Sequence, residues 1–208
     1  MIAWAEETFE EKESQFCSIF DETFCKTTTL LMVVWFCICF GYFGQLTLLP
    51  YIFQEQKKKT FWSYMVTVLA ELPVLVMNLC LVDRKSIGRK RLLVFCFFMA
   101  SIFHFIFSLK ALTVFSFLSR FFMKADFQLA YLITTESYIS SNRGFGFGIN
   151  SGTGRIAAAI MPYVVVNIAK SNASLVSIIF MILYIIGGCA GLFLTDTTGK
   201  QLDEIKEK

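Results

Sequence analysis

Charge is scarce in this chain. Aspartate, glutamate, lysine and arginine make up 17% of its 208 residues, where a soluble domain of that length carries about a quarter. The net charge of +3 is too small for a general nucleic-acid footprint, which excludes nucleic acid as an expected partner. Seven cysteines form no C-x-x-C pair, no metal-ligand spacing and no secreted disulfide framework. Most of them lie inside or beside apolar runs and read as small apolar residues. No catalytic triad, metal cluster or cofactor motif occurs, so the expectation is a chain that is not an enzyme and carries no metal and no cofactor. The glycine-rich "GFGFGINSGTG" has neither a strand before it nor a lysine after it, and close helix packing accounts for it better than a phosphate loop.

What is present is apolar surface: 56% of residues are hydrophobic, 24 of them are Phe, and the mean hydropathy is +0.61. Six runs approach the roughly 20 residues needed to cross hydrocarbon as a helix. They cover residues 27–50, 61–82, 92–109, 111–135, 144–169 and 173–195. With no water to satisfy backbone groups, each must be helical. A soluble bundle would need hydrophilic outer faces, and "LLMVVWFCICFGYF" has none. Nor is the first run a signal peptide, because residues 1–26 carry seven acidic residues against two lysines. The expected organisation is an acidic cytoplasmic lead-in at 1–26, a six-helix bundle at 27–195 and a short cytoplasmic tail at 196–208.

Counting Lys and Arg in the loops places the hinge "LVDRKSIGRKRLL" on the cytoplasmic side, which then collects eleven cations against five opposite. Both termini are expected on that side too. The sequon at Asn172 falls on the other side, in a loop read as too close to the bilayer for glycosylation. In the hinge, cations anchor two helices at the anionic leaflet, with membrane lipid as their partner. Gly88 permits the turn, and Asp83 is placed to pair with an arginine or face a helix N-terminus.

Charged groups inside the runs are costly, about 2.5–3.5 kcal/mol each on insertion scales, and usually face a partner or cavity. Glu71 lies midway along the second run, Arg120, Lys124 and Asp126 on the fourth, and Arg155 midway along the fifth. On the fourth run Arg120, Lys124, Gln128, Tyr131 and Thr135 share one helical face. The expectation divides between two readings: a substrate or coupling role for at least one of these charges, or mutual neutralisation across helix contacts. Asp126 points well away from Lys124 and cannot readily neutralise it. That leaves Glu71, the nearest carboxylate in depth, or an anionic ligand as the partner of Lys124. His104 is expected to be buried and hydrogen-bonded, with proton shuttling as the alternative. In "FGYFGQ", Gly41 and Gly44 suit either a softened gate helix or close packing, and Tyr42 and Gln45 could face a ligand.

The hinge pattern Asp83-Arg84, Gly88-Arg89-Lys90 resembles the D-R-x-G-R-K signature of the major facilitator superfamily. Other stretches follow in that superfamily's order: "TTLLMVVWFCICFGYFGQLTLLP", "AELP", "YLITTESYISSNRGFGFGINSGTGRIAAAIMPY" and "TDTTGKQLDEI". They are similar to the synaptic-vesicle-two-related and organic-ion-transporter branches from about Thr27 onward. The resemblance implies an all-α membrane protein, six transmembrane helices forming the C-terminal repeat half of a twelve-helix fold. A small organic solute and an N-terminal six-helix half are then its partners. Glu71, Arg120 and Arg155 fall on motif positions, whereas Lys124 and Asp126 replace small residues. The hinge carries two extra residues, and Asp196 and Lys200 stand where the pattern has Glu and Arg. Glu136 and Arg143 match the spacing of an inner junction and, with Asp83, Arg84, Gly88, Arg89 and Asp196, are candidates for a cytoplasmic gate. The expected function is a secondary transporter, or half of one, moving an organic anion or zwitterion by alternating access. The alternatives are a transport-incompetent half acting as a membrane partner, and a six-helix channel subunit, for which the fourth run has too few charges.

Overall fold

A computed structural model describes residues 22–55, 60–82, 84, 87–110 and 113–196. The expectations for the lead-in before residue 22, for Lys57 to Lys59, for Asp83, for Lys85 and for the tail beyond Asp196, including Lys200, lie outside these residues. Six helices are described: α1 (Glu22–Glu55), α2 (Thr60–Leu69), α3 (Glu71–Leu81), α4 (Arg89–Lys110), α5 (Thr113–Ser137) and α6 (Arg143–Leu192). The chain is an all-α, multi-pass membrane protein. Four stretches are long and apolar enough to cross a membrane: Phe24–Pro50 in α1, Phe61–Leu81 across α2 and α3, Arg89–Lys110 and Arg143–Leu192. α5 has 25 residues, about 37 Å of helix, and carries Arg120, Lys124 and Asp126.

At about 75 Å, the 50-residue α6 is more than twice the hydrocarbon thickness. Asn172 resolves the discrepancy, because its backbone alone leaves helical geometry (φ −159°, ψ 103°). The short loop expected around the sequon is therefore a one-residue break between two arms, 143–171 and 173–192. The Asn172 Oδ1 accepts the backbone N–H of Ser174 at 3.0 Å, a local bond of the kind that starts a helix.

The second crossing is broken in mid-course for a different reason. Pro73 has no N–H to give to the preceding turn, a lack that costs nothing in the first turn of a helix. The new helix accordingly starts at Glu71, after the turn Ala70 N–H to Thr67 C=O. Glu71 thus stands in the first turn of α3, where a carboxylate complements the helix dipole.

α1 packs chiefly on α6, and α4 on both α6 and α5. Two glycines allow the first contact. A Cβ on Gly41 would run into the Tyr184 ring and one on Gly44 into the Phe180 ring. This is the close-packing alternative for "FGYFGQ". The core between these helices is aromatic and aliphatic, with Phe97, Phe107, Phe180, Tyr184, Leu31, Ile38, Leu48 and Leu49 fully enclosed. Apolar side chains such as Leu79, Tyr163 and Leu109 stand outward, as a lipid-facing surface requires.

The hinge turns where the sequence placed it. Gly88 adopts φ 73°, a conformation that L side chains rarely take, and the Arg84 carbonyl accepts the N–H groups of Ile87 and Gly88 at 3.1 Å.

Candidate functional site

The polar face of α5 turns toward α1 and α3, and its charges converge on one carboxylate. Glu71 Oε1 accepts bonds from Arg120 Nη2 at 2.6 Å, Arg120 Nε at 3.1 Å and the Tyr42 hydroxyl at 2.8 Å. Its other oxygen, Oε2, lies 3.0 Å from Lys124 Nζ. Arg120 is held from both sides, since its Nη1 donates to the Tyr42 carbonyl at 3.2 Å and its guanidinium lies 4.2 Å from the Tyr42 ring centroid. A cation over an aromatic face gains electrostatically in a dry setting. Lys124 Nζ also approaches the Tyr42 ring, at 5.4 Å.

Two cations therefore share one carboxylate, and the cluster keeps one positive charge. Arg120 is 2% exposed, whereas Lys124 and Glu71 are 24% and 22% exposed. The surplus charge sits at the accessible edge of the cluster.

One turn further along, Gln128 accepts a bond from Asn78 Nδ2 at 2.5 Å. Sequence reasoning passed over Asn78, although it lies seven residues after Glu71 and thus on the same helix face. Asn78 and Gln128 line a groove of about 420 Å³ walled by Leu75, Leu79 and Leu132. A second groove, about 470 Å³, is lined by Trp35, Phe43, Phe127, Tyr131, Phe147 and Arg155. Trp35 was likewise not anticipated. Its indole N–H donates to Thr134 at 2.9 Å and its ring lies 4.7 Å from that of Tyr131, which fixes the aromatic wall. Arg155 is exposed in this groove and forms no ion pair among the described residues.

Two other expected ligand groups lie elsewhere. Gln45 is fully buried and its amide N–H groups go to Ser119 Oγ at 2.7 Å and the Ser116 carbonyl at 3.2 Å, so it ties α1 to α5 instead of facing a groove. Asp126 is also fully buried, on the far side of α5 from Lys124, and neither carboxylate oxygen has a hydrogen-bond partner among the described residues. It neutralises neither Arg120 nor Lys124. His104 is buried as expected, yet Nε2 meets only the Met123 sulfur at 3.1 Å and Nδ1 has no partner.

At the hinge end, Arg89 and Glu136 form an ion pair that joins the start of α4 to the end of α5. Arg143 opens α6 nearby in sequence, with Nε and Nη2 buried and without hydrogen-bond partners among the described residues. Beneath them, the Tyr138 hydroxyl donates to Thr28 at 3.0 Å and accepts from Asn150 at 2.8 Å, linking α1, the α5–α6 turn and α6.

No family model matches the chain. Among curated proteins it is 29% identical to the synaptic vesicle 2-related protein of Xenopus laevis over 94% of its own length. It is 27% identical to the niacin transporter NiaP of Acinetobacter baylyi over 94%, and 27% identical to the organic cation/carnitine transporter 7 of Arabidopsis thaliana over 90%. The chain spans 40%, 46% and 41% of these relatives, less than half of each. Two of the three are named as transporters and none as an enzyme, in line with a non-enzymatic chain. Similarity sustained along nearly the whole chain, added to five motifs in the order of one superfamily, places this protein among the relatives of the major facilitator transporters, in their synaptic-vesicle-two-related and organic-ion branch.

Proposed function

We propose that the chain is the C-terminal half of a secondary transporter that moves a small, carboxylate-bearing organic solute by alternating access. The observation that carries this reading is the surplus cation: Glu71 is shared by Arg120 and Lys124, and Arg155 stands exposed in the adjacent groove without a carboxylate among the described residues. A solute carboxylate would pair with Arg155 and offset the positive charge left where Arg120 and Lys124 share Glu71. Niacin carries a carboxylate, and so does the zwitterion carnitine, the solutes in two of the relatives' names. Both grooves are open, as expected of one wall of a cleft whose other wall is an N-terminal six-helix half. Both termini, with the hinge, are assigned to the cytoplasmic side on the loop charges.

Uptake of labelled nicotinate and carnitine into proteoliposomes tests this, with the chain alone and with the chain joined to the N-terminal region of a relative. Saturable uptake that weakens in Lys124→Gln and Arg155→Gln is the expected result. Association with the N-terminal region but no flux of either solute under any gradient would instead favour a membrane partner without transport.

A further inference from the structure

Asp126 is the largest departure from balance in the bundle. It lies in the interior where α4, α5 and the second arm of α6 meet, 0% exposed, with both oxygens unbonded among the described residues. Every ionisable group packed toward it either belongs elsewhere or is uncharged. From α4 comes Cys96 and from α6 Tyr184, with Cys37 and Cys39 of α1 near that ring and His104 of α4 beside it at 5.9 Å. On its own helix Arg120 and Lys124 are engaged by Glu71 of α3. Among the described residues no Lys, Arg or His nitrogen forms an ion pair with Asp126.

Two more polar atoms in this interior are stranded. The Tyr184 hydroxyl and His104 Nδ1 are buried without partners among the described residues, and the two rings lie 5.9 Å apart. An unpaired buried charge costs several kcal/mol even after relaxation, whereas a neutral carboxyl avoids that cost and gains a donor. A composition that wanted only a packed core would have placed Ala or Leu here.

We propose that Asp126 is a proton-binding site, separate from the Glu71 cluster, which holds its proton while α4, α5 and the second arm of α6 are packed as they are here. A proton from water joins the carboxylate as the helices close, and the carboxyl returns it to water when they part. Tyr184 and His104 are the polar groups placed to accompany that exchange. The site depends on interior packing and not on the identity of any solute.

Infrared spectroscopy of the chain in lipid nanodiscs, titrated with pH in H2O and in D2O, tests it. The expected result is a protonated-carboxyl C=O band persisting at neutral pH, shifted by D2O, absent in Asp126→Asn and displaced in Asp126→Glu. Asp126→Asn should also melt no lower than the parent, because an amide replaces a group that was already neutral. A parent spectrum without such a band at neutral pH, or a band unchanged in both variants, overturns the proposal. If Asp126→Asn does not fold, displacement of the band in Asp126→Glu decides alone. A chain that moves no nicotinate or carnitine yet keeps the Asp126 band would refute the transport reading and support this one.

Discussion

Lys124 and Asp126 are two residues apart on α5 and meet opposite surroundings. The lysine, partly exposed, reaches a carboxylate already bound to an arginine and a tyrosine. The aspartate, fully buried, reaches no hydrogen-bonding group among the described residues. About 200° of helical rotation separates them, and that angle is enough to place one in a satisfied, partly wet network and the other in a dry interior. Two unusual charges close together in sequence need not be partners. The proposed solute anion rests on the accessible edge of this division and the proposed proton on the dry interior.

The contrast breaks most severely at Glu71. Removing the carboxylate leaves Arg120 buried and faced by Lys124, so Glu71→Gln should destabilise the bundle by about 3–5 kcal/mol. Thermal unfolding in detergent, followed by tryptophan fluorescence, reads this directly. Adding Arg120→Gln should recover much of the loss, and a double variant no better than the single would show that the cluster is not held together by charge.

The interior face is tested through its wall. Gly41→Leu pushes a side chain into the Tyr184 ring and should cost about 1–3 kcal/mol through overpacking. It should also displace the Asp126 infrared band, because Tyr184 moves. A stable Gly41→Leu with an unmoved band would detach Tyr184 from Asp126.

A smaller structural effect is expected at the groove edge. Lys124→Gln leaves the Glu71–Arg120 pair intact, so stability should change by no more than about 1 kcal/mol while the apparent constant for nicotinate uptake rises several-fold. Poor folding of this variant, rescued by Glu71→Gln, would make Lys124 a structural charge instead of a ligand for solute. The hinge end should respond least in stability. Glu136→Gln removes a partly exposed ion pair worth about 0–1 kcal/mol. Cysteine labelling from the hinge side should nonetheless increase, and unchanged labelling would remove this pair from any gate.

Hydrophobic run length identified a helical membrane protein, because a helix is the only open-ended structure that satisfies its backbone in hydrocarbon, and four of the stretches are long and apolar enough to cross among the described residues. It also located the division at Asn172, since the apolar runs stop on either side of that residue. The glycine turn at Gly88 and the pairing of Glu71 with Lys124 were open to the same reasoning, the first through φ preference and the second through depth and charge. Asn78 could have been found from its two-turn spacing after Glu71. Gln45 could not, because its burial against Ser116 and Ser119 depends on how α1 is rotated about its axis.

The sequence by itself thus determined that the chain is a helical membrane protein, and which charges are too expensive to face lipid. Only the tertiary structure decided which charges meet. One Glu71 oxygen accepts Arg120 and Tyr42 while the other takes Lys124, and Asp126 is left buried near Tyr184, because helix rotation and crossing are set by side-chain packing between distant segments. Gly41 and Gly44 illustrate the point. They let α1 approach the rings of α6 closely enough to seal the interior around Asp126, a contact between residues some 140 positions apart that no local pattern encodes.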